Sequence, residues 1–244
     1  MRNLKLEISY DGSRYYGWER QPDKPTIQGK LEEVLSRMCG APVEVTGAGR
    51  TDAGVHAQAM VANVHLTSLL PAEEIRDYMN RYLPDDISVN EVKDASERFH
   101  ARYNALGKTY RYVFYCGKKK PVFRRKYVQS IDFVPDVSLM EAAAEYLTGT
   151  HDFRAFSSNP NMKKSTVRTV DSIKIRLKND YLTLDYHGNG FLQNQVRIMT
   201  GTLLEAGQGI KTPEEVREIL AGKDRRLAGP TAPAKGLTLI EVDY

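Results

Sequence analysis

Between Val43 and Leu66 the sequence reads VEVTGAGRTDAGVHAQAMVANVHL, an apolar run that breaks into three glycines around Arg50, Thr51 and Asp52 before a second apolar run begins. Glycines let a backbone turn sharply and approach a ligand closely, and loops between strands are where functional side chains concentrate. A carboxylate two residues from a guanidinium can be held ionised and oriented. The same residues also make an ordinary hairpin loop in which Asp52 caps a turn and Arg50 is solvated, and the segment alone supports both readings.

Other chemistries lack their anchors. Gly47-Ala48-Gly49 is not a dinucleotide fingerprint, because Asp52 stands where its third glycine belongs. The histidines, His56, His65, His100, His151 and His187, are scattered without zinc-ligand spacing, and His56, beside the loop, reads as a structural residue first and as an acid or base only as the lesser alternative. Neither a nucleophile elbow nor a phosphate-binding P-loop occurs.

A second cluster is basic. From Lys108 to Lys126 the chain carries Lys108, Arg111, Lys118, Lys119, Lys120, Arg124, Arg125 and Lys126, no acid, and five aromatic residues among them. Acids collect elsewhere, at Glu32, Glu33, Glu73, Glu74, Glu141, Glu145, Glu214, Glu215 and Glu218, all on expected helices. Cations interleaved with rings suit a looped or single-stranded RNA, whose phosphates are neutralised while its bases stack. Lysines guarding a solvated sheet edge are the plainer account.

The elements that must position these residues follow from periodicity. Leu4, Leu6, Ile8 and Tyr10 alternate with polar residues as a half-buried strand does, and a loop from Asp11 to Pro25 surrounds the only tryptophan, Trp18. Ile27, Leu31, Val34, Leu35 and Met38 recur at helical spacing, with Thr26 placed to cap the helix and Gly40 to end it. Strands are expected over 43–46, 59–66 and 87–92, with a helix over 71–82 between the last two. The second half repeats the mixture. It has a strand over 108–116, a helix over 138–147, strands over 169–177 and 181–187, a helix marked by Phe191, Val196, Met199 and Leu203, a short helix starting at Pro213, and a closing strand over 237–242.

This order has no strict strand-helix-strand alternation. It predicts an α+β fold with a predominantly antiparallel mixed sheet shared by two similar lobes, 1–104 carrying the Asp52 loop and 105–244 carrying the basic run. The 244 residues suffice for cores without disulfide staples, and Cys39 and Cys116 form no disulfide framework. No apolar run approaches the roughly 18 residues of a membrane span, and the alternating N-terminus reads as folded structure and not as a signal peptide. A cytoplasmic protein is expected. The net charge of +4 says less than its uneven distribution.

The stretch GAGRTDAGVHA, Gly47 to Ala57, resembles the signature of the tRNA pseudouridine synthase A (TruA) family. Five further segments are similar to that family and fall in its order: SYDGSRYYGWERQP from Ser9, FHARYNALGKTYRY from Phe99, GTHDFRAF from Gly149, GFLQNQVR from Gly190 and AGPTAPAKGL from Ala228. One position departs. Where the family's helix reads phenylalanine, leucine, two variable residues, methionine, valine, arginine, this chain has Gln195 at the methionine, a change in packing and not in chemistry.

The resemblance implies the two-lobed pseudouridine synthase fold, an isomerase that needs no cofactor, and Asp52 as nucleophile. The reaction breaks the N1–C1′ glycosidic bond, turns the uracil and reattaches it through C5, and a carboxylate suits attack on either C1′ of the sugar or C6 of the ring. Tyr110 would lie against the target base, Arg197 would pair with Asp52, and Arg50 would contact the RNA backbone or fill the gap a flipped uridine leaves. The implied substrates are uridines 38, 39 and 40 of the tRNA anticodon stem-loop, held by a homodimer. A paralogue acting on another tRNA or ribosomal RNA site, a non-catalytic RNA-binding protein, and a glycosidase using an Asp nucleophile are the competing readings.

Overall fold

A computed structural model describes residues 1–159, 162 and 164–244. The chain resolves into two compact units, Met1–Leu106 with Leu239–Tyr244, and Gly107–Thr238. Both mix helices with mostly antiparallel strands, which places the protein in the α+β class.

The first unit is built on β1 (Arg2–Tyr10), flanked by antiparallel β3 (His56–Leu66) and β4 (Ile87–Ala95). Leu4, Leu6 and Ile8 are completely buried while Lys5, Glu7 and Ser9 on the opposite face are only half-covered, so the alternation read from sequence is the pleat of a sheet with one covered face. The short β2 (Val45–Gly47) pairs with β3 on its other side, Val45 opposite Val64. The last strand, β10 (Leu237–Asp243), also neighbours β3. Helix α1 (Ile27–Cys39) begins where the Thr26 side chain accepts the Gly29 N–H and ends at Gly40, whose φ of 67° only glycine adopts cheaply. It buries Ile27, Leu31, Val34 and Leu35, and α2 (Ala72–Tyr82) buries Ile75 and Met79. Strand β3 starts three residues before the apolar pattern suggests, because His56, Ala57 and Gln58 extend the ladder without being uniformly apolar.

The second unit has the strand order β5 (Gly107–Tyr115), β9 (Tyr181–Gly188), β8 (Val167–Lys178), β7 (Gly149–Asp152), antiparallel throughout. The two-residue β6 (Gln129–Ser130) lies parallel to β5. Tyr112, Phe114, Leu182, Leu184 and Tyr186 fill one face. Helices α3 (Val137–Leu147), α4 (Gln195–Gly207) and α5 (Pro213–Gly222) complete the unit. α4 is apolar nearly all round, as a core helix is, with Val196, Ile198, Met199 and Leu203 buried.

The structure corrects two expectations. Phe191 lies outside α4, which starts only at Gln195 after Asn194 takes the left-handed conformation at φ 59°. Strand β7 is absent from the periodicity because its residues, Gly-Thr-His-Asp, carry no apolar alternation.

Candidate active site and nucleic-acid face

In the first unit the Asp52 loop spans the gap between β2 and β3, and the segment from Tyr10 to Trp18 holds it. The Tyr10 hydroxyl and the Thr51 Oγ1 share a buried hydrogen bond of 2.8 Å. The Trp18 N–H donates to the Thr51 carbonyl at 3.0 Å, and the Gly54 N–H to the Tyr15 carbonyl at 3.2 Å. Across the turn itself the Val55 N–H donates to the Asp52 carbonyl at 3.1 Å.

Two glycines make this proximity possible. A Cβ at Gly47 would stand 2.5 Å from the Trp18 ring, and one at Gly17, where φ is 93°, 2.5 Å from the Thr51 carbonyl oxygen. Trp18 is 3% exposed, and it seals the loop's inner side. The backbone on both sides of Asp52 is therefore fixed, and its half-buried side chain projects from a rigid frame. Such pre-organisation is what a reacting carboxylate requires.

His56 is 2% exposed and takes the Gly12 N–H on Nδ1 at 3.0 Å, with the Asp11 carboxylate 3.2 Å from the same nitrogen. It ties the first turn after β1 to the start of β3, the structural role read from sequence. Arg50 is exposed, and its Nη2 lies 2.8 Å from the Glu19 carboxylate. Nothing in the sequence announces that pairing, since Glu19 lies 31 residues upstream with no spacing relation to the loop.

The second unit carries the other two candidates. Tyr110 stands on β5 opposite Tyr186, 8% exposed, with Phe191 edge-on at 5.4 Å between ring centroids. Arg197, on the first turn of α4, donates from Nε to the Ala232 carbonyl at 2.7 Å and from Nη1 to the Asn194 Oδ1 at 2.8 Å, while its own carbonyl accepts the Ala232 N–H. The loop from Ala228 to Gly236 thus aims the guanidinium. Two further bonds fasten it: the Tyr112 hydroxyl donates to the Pro233 carbonyl at 2.8 Å, and the Gly229 N–H to the Thr202 Oγ1 at 2.9 Å. Burial pushes the Tyr112 hydroxyl's pKa well above the usual tyrosine range, with Arg197 acting slightly against it, so this donor stays protonated.

Sequence reasoning misses the edge-on Phe191 and the anchoring of Arg197. The former stands in the GFLQNQVR segment but reads as part of the helix. The latter runs through backbone carbonyls, which no residue type announces.

The basic run divides by environment. Arg111 is bound bidentately to Asp185, at 2.6 and 2.9 Å, which raises the guanidinium's pKa further. Lys118, Lys119, Lys120, Arg124 and Arg125 are exposed on the segment after β5. Among the described residues no group of three or more His, Cys, Asp or Glu is placed to hold a metal ion, and no helix is long and apolar enough to cross a membrane.

Comparison with known proteins gives consistent relatives. The family model described as tRNA pseudouridine synthase matches residues 8–104 and 143–244. A protein of Brevibacillus brevis named tRNA pseudouridine synthase A is 43% identical over 244 residues, covering 100% of both chains. One of the same name from a Bacillus species is 47% identical over 245 residues, again covering both fully, and a Clostridium tetani protein named tRNA pseudouridine synthase A 1 is 45% identical over the same span. Among solved structures, a chain from a Cbf5-Nop10-Gar1 complex aligns with 97% of this chain at 10% identity and a TM-score of 0.38, and this chain spans 58% of it.

Proposed function

The chain belongs to the tRNA pseudouridine synthase family, and from that premise we propose that it isomerises uridines 38, 39 and 40 of the tRNA anticodon stem-loop with Asp52 as the nucleophile. It is an isomerase. The N1–C1′ bond breaks, a C5–C1′ bond forms, N1 gains a proton and C5 releases one, so nothing is oxidised or reduced.

The observation that carries the assignment is the locking of the Asp52 loop. Four backbone or side-chain hydrogen bonds and two close glycine approaches fix a half-buried carboxylate inside the matched region. A carboxylate is ionised near neutrality, given an ordinary pKa of about 3.9, and attacks an electron-poor C1′ or C6.

In this reading Arg197 pairs with Asp52 during the reaction and keeps it charged, and its anchoring by Ala232 and Asn194 is the preparation for that. Tyr110 stacks against the turning uracil, with Phe191 holding its ring plane. Arg50 exchanges its exposed Glu19 partner for a tRNA phosphate or enters the space left by the flipped uridine, a step costing a few kcal/mol. The enzyme works as a homodimer in the cytoplasm, and Cys39 and Cys116, both unbridged, suit a reducing compartment.

The test is tritium release from tRNA carrying 5-tritiated uridine. Asp52→Asn should bind tRNA as the wild type does and release no tritium, because the frame survives and the nucleophile does not. Wild-type release from that variant refutes the assignment.

A further inference from the structure

After β5 the second unit sends out a segment that the active-site reading leaves unused. From Gly107 to Ile131 there is no acid. The segment is built, not loose. The Cys116 N–H donates to the Asp180 carbonyl at 2.8 Å at one end, and the Ile131 N–H to the Tyr115 carbonyl at 2.9 Å at the other. At its crest a 3-10 turn, Val122–Arg124, is closed by the Arg124 N–H on the Pro121 carbonyl, the Tyr127 N–H on the Arg124 carbonyl and the Arg125 Nη1 on the Val122 carbonyl. The Arg124 guanidinium lies 5.0 Å over the Tyr181 ring, which itself packs 5.0 Å from Tyr115.

On this crest Phe123 is 98% exposed and Val122 55% exposed. Lys118, Lys119, Lys120, Arg124, Arg125 and Lys126 flank them along the chain, all exposed. A lone surface apolar residue is ordinary. A whole aromatic ring held out on a fixed turn amid six cations is a different object, because the ring offers a π-face and the cations offer phosphate contacts at the same place. Charge selects the occupant. A second copy of this crest would bring six more cations against the first, whereas a nucleic acid brings the complementary charge and flat bases to cover the ring.

We propose that Phe123 is a stacking platform for an unpaired base of the bound tRNA, with Lys118, Lys119, Lys120, Arg124 and Arg125 on the flanking phosphates. This rests on the tRNA-modifying reading above and adds a contact to it. The contact is non-sequence-specific, since every base has a face to stack, and it suits an enzyme that must hold several uridine positions in turn.

The experiment measures binding of an unmodified tRNA transcript by the full chain across a salt series, with sedimentation run in parallel. Phe123→Ala should weaken binding about 5- to 150-fold, the range for removing one base stack, with the salt slope and the sedimenting mass unchanged. Phe123→Tyr should restore affinity and Phe123→Leu should not, which separates ring stacking from mere apolar bulk. Replacing Lys118, Lys119 and Lys120 together with Ala should instead flatten the slope by about 0.7 to 0.9 for each phosphate that these lysines no longer neutralise.

Wild-type affinity in Phe123→Ala, rescue by Phe123→Leu, or a loss of affinity that accompanies a change in sedimenting mass each overturns the proposal, the last by giving the ring to a second copy of the chain. A wild-type chain that fails to bind tRNA at all sinks the functional reading itself. Wild-type binding with an unaffected Phe123→Ala sinks only the stacking platform.

Discussion

The Oε1 of Gln195 accepts the backbone N–H of Leu192 at 2.8 Å inside the protein, where Gln195 is completely buried. The amide thus closes the turn that launches α4, two residues before Arg197. Its Nε2 faces the Met199 sulfur at 4.0 Å. Gln195, the residue at which the sequence departs from the resemblance, is therefore a cap on a buried N–H.

Replacing Gln195 with Met keeps the volume and removes the acceptor. The Leu192 N–H is then left without this partner in a buried position, at a cost of about 1–3 kcal/mol. The melting temperature should fall by several degrees, since about 1 kcal/mol moves a chain of this size by about 2–4 °C. An unchanged melting curve would mean that the turn closes on another acceptor.

Trp18 and Gly47 make a sharper case, because packing and mechanism meet there. Gly47→Ala puts a methyl within 2.5–2.7 Å of the indole atoms Cε2, Cζ2 and Nε1, so the ring must shift. Its backbone N–H, bonded to Thr51, shifts with it. Overpacking of this kind costs about 1–3 kcal/mol, and tritium release should slow through kcat more than through KM. Gly40→Ala is the control. It meets nothing within 4 Å and is strained only by its φ of 67°, so it should lower stability by about 1 kcal/mol and leave the folded enzyme's rate alone.

Much of this is legible in the sequence. Thr26 and Gly40 bracket α1 as expected, because a helix start and stop are local chemistry. The alternation of β1 and the glycines around Asp52 are local too. What stays hidden depends on partners distant in sequence. Asn3 is 4% exposed in a strand position that reads as outward, because its amide donates to the Ser96 and Phe99 carbonyls and accepts from Asn63. Glu32, one of the acids expected on helices away from the basic run, is 6% exposed and accepts the Val45 N–H. Phe191 reads as helical because its apolar side chain falls just ahead of Val196 and Met199, and periodicity does not register that Leu192, Gln193 and the left-handed Asn194 lie outside the helix.

The Arg2 guanidinium grips Asp94 bidentately, at 2.8 and 2.6 Å, and joins the start of β1 to the end of β4. These hydrogen bonds hold the Asp94 carboxyl below its ordinary value of 3.8. A depressed folded-state pKa means the unfolded chain binds the proton more readily, so the contribution is whole above 3.8 and is lost as pH falls through the lowered value. Asp94→Asn should melt slightly earlier than wild type at neutral pH, and the two curves should converge in strong acid. Because the pair is exposed, added salt should narrow the gap as well. A gap that persists in acid would assign the effect to something other than this charge.

Arg197→Lys tests whether direction, beyond charge, is what the role proposed for Arg197 requires. The guanidinium satisfies two acceptors at once, the Ala232 carbonyl through Nε and the Asn194 Oδ1 through Nη1, and only a planar fork reaches both along fixed lines. A lysine keeps the positive charge but has a single nitrogen on a flexible stem, so it leaves at least one acceptor and points where the stem allows. If Arg197 orients Asp52 during the reaction, kcat should drop about 10²-fold, the penalty for a displacement near 1 Å at a reacting group, while tRNA binding holds. The fold should survive, since the side chain is only half-buried and the Ala232 N–H still bonds the Arg197 carbonyl through the backbone. A lysine variant with undiminished kcat would show that charge alone suffices there, and Asp52 would need another residue to orient it.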